Sequence, residues 1–378
     1  MRRALLGMAM VGLVLTAPFA AVPSYDFPGP RPFAGDRWLN PYEGWRGGFL
    51  KVNLHAHSAA WLGVTAGDAS PEAMAQRYAE FGFDALALSN YHQLTQLEAP
   101  PLPMLRAYEH GFNLTKSHRL VLGGSDVVAL DFPLSTRSMR QWVLELLGVR
   151  AALVGLNHPS LRGGHDCADV ERLTGFQLLE VHNPYATSAL EWDCALAAGR
   201  LAWVVGNDDS HSTREEGIGI AWNMVGAPEP TEGRLLEALA RGRSYAVRGE
   251  RGRMDVHVLE VAQDAPGRFR VELDGPARVE WIVDGSVRQV DEGASSARFL
   301  APAKGAHFIR AVVRTPITEL LLNPFVRQGA WAPPVATIDW PSTVAGWLAW
   351  VVAAVAVSAL ARRVRPHLRL VSRGDRAA

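Results

Sequence analysis

The sequence predicts an α/β protein with a parallel sheet, followed by a small antiparallel β domain, between two apolar ends. Three observations predict it. From Leu50 to about residue 250, short apolar runs alternate with stretches of helical periodicity. From about residue 253 to 328 the apolar positions alternate one by one. Each end of the chain carries a long segment almost free of charge.

The elements follow in order. Residues 1–22 begin "MRRALLGMAMVGLVLTAPFAA", with Arg2 and Arg3 ahead of an apolar run, the layout of a signal peptide or signal anchor. Pro18 and Phe19 spoil a small-x-small cleavage site, which favours an uncleaved anchor. Residues 23–48 are rich in Pro, Gly and aromatics and read as an irregular lead-in. "FLKVNLHAH" is the first strand. "SPEAMAQRYAEFGF" is a helix with Ser70 as N-cap, Pro71 at its first position and Glu72 in its first turn. "DALALSN" and "HRLVLGGSDV" read as strands. Helices "MRQWVLELLGVR", "DVERLTG" and "ATSALEWDCALAAG" then precede strands "AALVGLNHPS", "FQLLEVHN" and "LAWVVGNDDSH".

Residues 253–328 contain "RMDVHVLEV", "RFRVELDG", "RVEWIVDGSV" and "HFIRAVVRT", separated by turns such as Asp274-Gly275 and Asp284-Gly285. In size and alternation this resembles an immunoglobulin-like sandwich. Residues 329–341, "GAWAPPVATIDWP", form a connector. Residues 342–361 have the length of a transmembrane helix. Arg362, Arg363 and Arg365 open a basic tail over 362–378 and place it in the cytoplasm, as Arg2 and Arg3 do for the N-terminus. The body between would lie outside the cytoplasm, periplasmic or extracellular.

Formal net charge is zero over 378 residues, with 20% charged and 48% hydrophobic residues, and no basic block or aromatic-interleaved patch suggests a nucleic-acid surface. Cys167 and Cys194 lack metal-site spacing; they form one disulfide or remain two free thiols.

The position of the polar residues is more informative. Apolar run after apolar run ends in a polar cluster: His55/His57, Asn90/Tyr91/His92, Asp126, Asn157/His158, Glu180/His182/Asn183 and Asp208/Asp209/His211. The carboxyl ends of strands form the active face of parallel α/β folds. His55 and His57 sit one residue apart, so an extended strand sends both rings to one face. Mixed imidazole and carboxylate sets suit Zn, Mn or Fe. Two or more such ions polarise a phosphoryl oxygen and activate water.

These residues resemble the motifs of the PHP (polymerase and histidinol phosphatase) superfamily. "HAHS" at 55–58 matches its opening H-x-H-[ST], "NHPS" at 157–160 its His-Pro strand end, "EVHN" at 180–183 its Glu-x-x-Asn and "DSH" at 209–211 its closing Asp-x-His. The order and spacing agree over residues 50 to about 250, and "ARGRSYAVRG" resembles the segment that closes such domains. The resemblance implies a distorted TIM-like (β/α)7 barrel over 49–250 and a metal-dependent phosphoesterase with two or three divalent ions. It implies His55, His57, His158, Asp209 and His211 as catalytic metal ligands, with Asp68, His92, Asp126 and Glu180 as further candidate ligands. Glu180 is either a ligand or an orienting group. Asp126 falls where the family has a bridging Glu. Asn90 and Tyr91 stand where the family has Asp and His, with His92 one residue out of register, so the site is expected to hold fewer metals than the fullest members. Arg162, His182 and Asn183 are candidate substrate-binding residues for a phosphorylated small molecule or other phosphoester. His110, His118, His165, His257 and His307 read as surface or structural. Two other readings remain open on sequence: a degenerate barrel that binds a ligand or partner without catalysis, and a metal-dependent amide hydrolase.

Overall fold

The computed structural model describes residues 2–65 and 67–364. It is a mixed α/β protein that divides into two compact units. Among the described residues, one comprises 28–134 and 143–335, the other 2–27, 135–142 and 336–364.

The larger unit is built on a circuit of strands. β1 (Leu50–Ala56) runs parallel to β2 (Ala85–Leu88). Backbone bridges Leu86–Met104 and Tyr91–Glu109 lead from β2 to β3 (Ala107–His110). β4 (Arg119–Leu122) pairs antiparallel with β3 and with β5 (Leu153–Leu156). β6 (Leu178–Asn183) runs parallel to β5 and to β7 (Trp203–Gly206). Beyond β7, the Ser210 carbonyl accepts from His57 N–H at 2.8 Å and Asp209 N–H donates to the His55 carbonyl at 2.9 Å. The pairings thus return to β1.

The uniformly parallel sheet expected from sequence is corrected at β4. Residues 111–118 link β3 to β4 without a helix, and a parallel pair needs a long crossover that this loop cannot supply. The helix expected over "DVERLTG" is a single turn, Cys167–Val170. Asp166 caps it early with its side chain on Asp169 N–H, and Gly175, at φ +90°, turns the chain into β6.

Helix α1 (Pro71–Glu80) starts as expected, with Ser70 Oγ accepting from Ala73 N–H at 3.2 Å, and buries Met74, Ala75 and Tyr78. Alternation along β1 sets the interior. Val52 and Leu54 join an apolar core with Leu120, Leu153, Leu178 and Trp203. Asn53 and His55, on the other face, are fully buried among polar groups.

A second sheet continues from the same β1. β8 (Ala221–Val225) pairs antiparallel with β1 and with β9 (Ser244–Arg248). The later strands are β10 (Val258–Ala265), β11 (Arg268–Val283), β12 (Ser286–Leu300), β13 (Phe308–Arg314) and β14 (Glu319–Leu322). β14 pairs with β9 and β13, and β13 with β11. β11 pairs with β12 along one edge and, on the opposite edge, with β10 through its first half and β13 through its second. One sheet therefore crosses the boundary expected near residue 250. One apolar core does the same, joining Met74, Tyr78 and Trp222 to Trp281, Phe269 and Phe325.

Cys167 and Cys194 form a disulfide across 27 residues, which decides between the two states left open by sequence.

In the smaller unit, helices Arg2–Ala21 and Trp340–Val364 are each long and apolar enough to cross a membrane. Their apolar windows have mean hydropathies of 2.0 and 2.1 and are not buried within the protein. Tyr25–Asp26 pairs with Thr337–Ile338, and Ser24 N–H donates to Thr343 Oγ1 at 2.9 Å. Most of the expected tail at 362–378, Arg365 included, lies outside the described residues.

Loop-closure entropy for the 27-residue separation is about 3–4 kcal/mol. Cys167→Ser/Cys194→Ser is expected to lower the stability of the larger unit by roughly that amount, read as a shift of the denaturant midpoint under oxidising conditions. An unchanged midpoint would mean that the bridge does not constrain the unfolded chain.

Candidate metal centre

The polar strand ends converge on one buried point. His55 is the penultimate residue of β1 and His57 follows the strand; their Nε2 atoms lie 3.1 Å apart. Glu109 comes from β3, His118 from the start of β4, Asn157 and His158 from the end of β5, Glu180 from β6, and Asp209 from beyond β7. His55, Glu109 and Glu180 have no exposed surface, and His57, His118, His158 and Asp209 are at most 4% exposed.

Glu109 is the hub. Its Oε1 lies 2.9 Å from His118 Nδ1, 3.3 Å from His158 Nε2 and 2.9 Å from Asn157 Nδ2. Its Oε2 lies 3.4 Å from His55 Nε2 and 3.3 Å from His57 Nε2. Asp209 Oδ1 lies 3.2 Å from the same two Nε2 atoms. Glu109 Oε2 and Asp209 Oδ1 are nonetheless buried without a hydrogen bond, as is His158 Nδ1. Native proteins rarely leave buried carboxylate oxygens unmatched. A cation between these oxygens and the two imidazoles would match them. One ligand atom from each of His55, His57, Glu109 and Asp209 falls within 4.8 Å of the others. The same holds for Glu109, His118 and His158, and for His55, His158 and Glu180.

Glu180 is committed to support. Its Oε1 takes His55 Nδ1 at 3.1 Å and Asn207 Nδ2 at 2.8 Å; its Oε2 takes His158 N–H at 2.9 Å and Asn183 Nδ2 at 3.0 Å. A carboxylate on Nδ1 fixes the tautomer that leaves Nε2 free as a ligand. Asn183 Nδ2 also donates to Asp209 Oδ2 at 3.2 Å. His57 is held between the rings of Tyr91, at 4.8 Å, and His211, at 4.3 Å. His158 and Asp209 have left-handed backbones, φ +30° and +46°, strain that collects at functional sites.

The charges explain one another. Burial opposes protonation of His55, but Asp209, Glu109 and Glu180 outweigh it and raise its pKa; the same competition raises His57 and His158. Burial likewise resists ionisation of Glu109 and Asp209, yet the surrounding histidines hold both below the usual carboxylate range.

The structure redistributes several expected roles. Asp126 is exposed and faces Arg150 at 3.6 Å, and Glu109 occupies the hub that Asp126 was expected to fill. His92 is spent on backbone: Nδ1 on the Val128 carbonyl at 3.1 Å, Nε2 accepting from Gly111 N–H at 3.0 Å. Asp68 is exposed, bound through its N–H to the His211 carbonyl at 2.9 Å, and belongs to none of the three ligand groups. His211 also lies outside them, its Nδ1 on the Asp209 carbonyl at 2.8 Å. His182 leaves the site for Glu319, 3.3 Å away, because the pairing register shifts between Val205 and Gly206; burial lowers its pKa to about 4. Arg162 stays exposed on a loop. His118, expected to be surface or structural, is part of the cluster, whereas His110, His257 and His307 bond to Leu130, Asp274 and Phe33. Asn90 clamps the loop after β1 through Ser58 N–H at 2.8 Å and Ser58 Oγ at 2.7 Å.

No family model and no curated protein matches the chain. Among solved structures it is similar to a two-domain protein from Bacteroides vulgatus containing a predicted PHP-like metal-dependent phosphoesterase. Identity is 12% and the TM-score 0.44, over 81% of this chain and 92% of that one. The chain is also similar to the lesion-specific endonuclease EndoQ from Pyrococcus furiosus, at 11% identity and TM-score 0.33, over 51% of this chain and 56% of that one. Endonuclease Q bound to a 27-mer duplex with an abasic lesion gives 11% identity and TM-score 0.32, over 50% and 56%.

Protons and metal compete for the same imidazoles. Because the carboxylates raise His55, His57 and His158, divalent-metal affinity is expected to climb with pH through and above the ordinary histidine range. Calorimetric titration with Zn or Mn across that range, in buffers of different ionisation enthalpy, should show proton release on binding. A pH-independent affinity with no proton release would place the metal elsewhere.

Proposed function

We propose that this chain is a metal-dependent hydrolase of the PHP type, a phosphoesterase. One observation carries the reading: the two oxygens of Glu109 face two different histidine sets, as a carboxylate shared by two metals would. His55, His57 and Asp209 would hold one ion and His118 and His158 the other, with Glu109 between them. Zn, Mn or Fe suits this donor set. When bound, such ions supply Lewis-acid polarisation of a phosphoryl oxygen and a nucleophile at neutral pH.

The chain's own residues do the positioning. Glu180 fixes the His55 ring and, with Asn183, steadies Asp209. Tyr91 and His211 hold the ring plane of His57. The Tyr91 hydroxyl interacts with Glu109, and burial raises its pKa, so it remains a neutral phenol able to donate a hydrogen bond beside the cluster. His211, half-exposed on the rim, retains Nε2 for a substrate or leaving-group oxygen.

Residues 49–250 would form the distorted barrel of this family and residues 253–328 an accessory β region. The two apolar helices support membrane anchoring, and the disulfide agrees with an oxidising, extracytoplasmic compartment. Met10, Leu13 and Val14 of the first helix line one apolar pocket with Trp350, Ala354 and Val357 of the last, which supports retention of the N-terminal helix as an anchor.

Elemental analysis of the purified full chain tests the reading. Two or more transition-metal ions per chain are expected. Glu109→Gln should weaken metal binding by at least ~100-fold and abolish hydrolysis across a panel of phosphomonoesters, phosphodiesters and nucleic acid. A folded wild-type chain that takes up no Zn, Mn or Fe would overturn the enzyme reading.

A further inference from the structure

A cavity of about 350 Å³ opens beside the cluster, bounded by His118 and Tyr91 on its inner side. Its outer wall has two chemistries. Lys116 and Arg162 line it, and neither has a carboxylate partner among the described residues. Phe112, Leu114 and Val64 line it too, and they are 54%, 71% and 86% exposed. Leu62, two residues before Val64, is fully exposed. Apolar side chains gathered at one mouth are unusual on a solvated surface and mark a recognition site.

The wall is constructed. Asn113 ties its own loop together, with Oδ1 accepting from Ser117 N–H at 2.8 Å and Nδ2 donating to the Ser117 carbonyl at 3.1 Å. Leu114 N–H donates to the Pro133 carbonyl at 3.0 Å. The loops bearing Lys116 and Arg162 touch: a Cβ on Gly164 would come within 2.5 Å of the Lys116 carbonyl oxygen. Lys116 and Arg162 both have left-handed backbones, φ +58° and +50°, as do Trp61 and Leu62, φ +51° and +56°. Trp61 Nε1 donates to the Tyr91 carbonyl at 2.7 Å, which fastens the Leu62 turn to the same mouth.

We propose that this cavity is a specificity subsite for amphiphilic phosphoesters, compounds with an anionic phosphate head on an apolar body. Lys116 and Arg162 take the outer oxygens of the head, while Phe112, Leu114 and Val64 cover the first part of the body. The proposal rests on the phosphoesterase reading, and it names the substrate class that reading leaves open.

The test is binding, which needs no turnover. Methyl-, butyl- and hexylphosphonate and inorganic phosphate are titrated calorimetrically into the metal-loaded full chain in lipid nanodiscs, with empty nanodiscs subtracted. Affinity is expected to rise about three- to fourfold per methylene until the tail outgrows the cavity. Val64→Ser/Leu114→Ser should flatten that dependence. Lys116→Ala/Arg162→Ala should weaken the whole series by about tenfold or more while keeping its slope. Equal affinity for inorganic phosphate and all three phosphonates overturns the proposal, and so does a slope that survives Val64→Ser/Leu114→Ser. Tail-dependent binding without hydrolysis of any ester overturns the hydrolase reading and leaves the subsite standing.

Discussion

The site depends on one constraint: Glu109, Glu180 and Asp209 are carboxylates buried almost completely within one small volume. Burying a single charge without a partner costs several kcal/mol, so this arrangement stands only if cations of matching number lie among them. Histidines supply protons for part of that need, as the raised pKa values of His55, His57 and His158 show. Yet Glu109 Oε2 and Asp209 Oδ1 stay unmatched. A polar network with unmatched members is costly in a low-dielectric interior, and divalent ions bound there would remove that cost. Metal binding would then be coupled to the stability of the strand circuit.

The surrounding fold is arranged to tolerate this interior. Asn53, Asn157 and Asn207 bring amides into it, and each serves a carboxylate: Asp208 at 3.1 Å, Glu109 at 2.9 Å and Glu180 at 2.8 Å. Asp208, beside the candidate ligand Asp209, turns the other way. It accepts from Gly219, Ile220 and Ala221 N–H and from Tyr78 Oη, which ties the start of β8 and helix α1 beneath the site. Burial raises its pKa to about 6 even against those bonds. Neighbouring aspartates thus have opposite tasks, one facing the cluster and one anchoring the backbone that presents it. The left-handed φ of Asp209 helps make that divergence possible.

Much of this was legible in the sequence, and the remainder fails for identifiable reasons. The spacing of His55 and His57 in a strand, and the His, Glu and Asp endings of β5, β6 and beyond β7, place five of the clustered side chains directly. Glu109 was hidden because no strand was expected between "DALALSN" and "HRLVLGGSDV"; the bridges to β2 and the pairing with β4 are what make β3 a strand. His118 was hidden by the rule that active residues sit at strand carboxyl ends. β4 runs antiparallel, so its beginning lies at that end. Gly111, at φ +139°, clears the space: a Cβ there would lie 2.7 Å from His118 Cδ2. Asp126 and His92 were plausible by residue type, but chain direction and backbone hydrogen bonds had already committed them elsewhere.

The departure at Asn90 and Tyr91 bears on what kind of site this is. A ligand pair at those positions would add donors on the Tyr91 side of His57. Here Asn90 instead fixes Ser58 and Thr95 by hydrogen bonds of 2.7–2.8 Å, and Tyr91 closes over the His57 ring. The substitution removes a donor and adds a wall. That wall is also the inner face of the cavity that carries Lys116 and Arg162. The same aromatic ring thus has imidazoles and carboxylates on one side and exposed apolar and cationic groups on the other. A site with fewer donors on that side has room for a substrate's non-reacting portion, and binding energy gained there is available for orienting the reacting group. With Asn90 and Tyr91 at these positions, selectivity would be the property altered, while Glu109 still faces both histidine sets and is touched by Tyr91 itself.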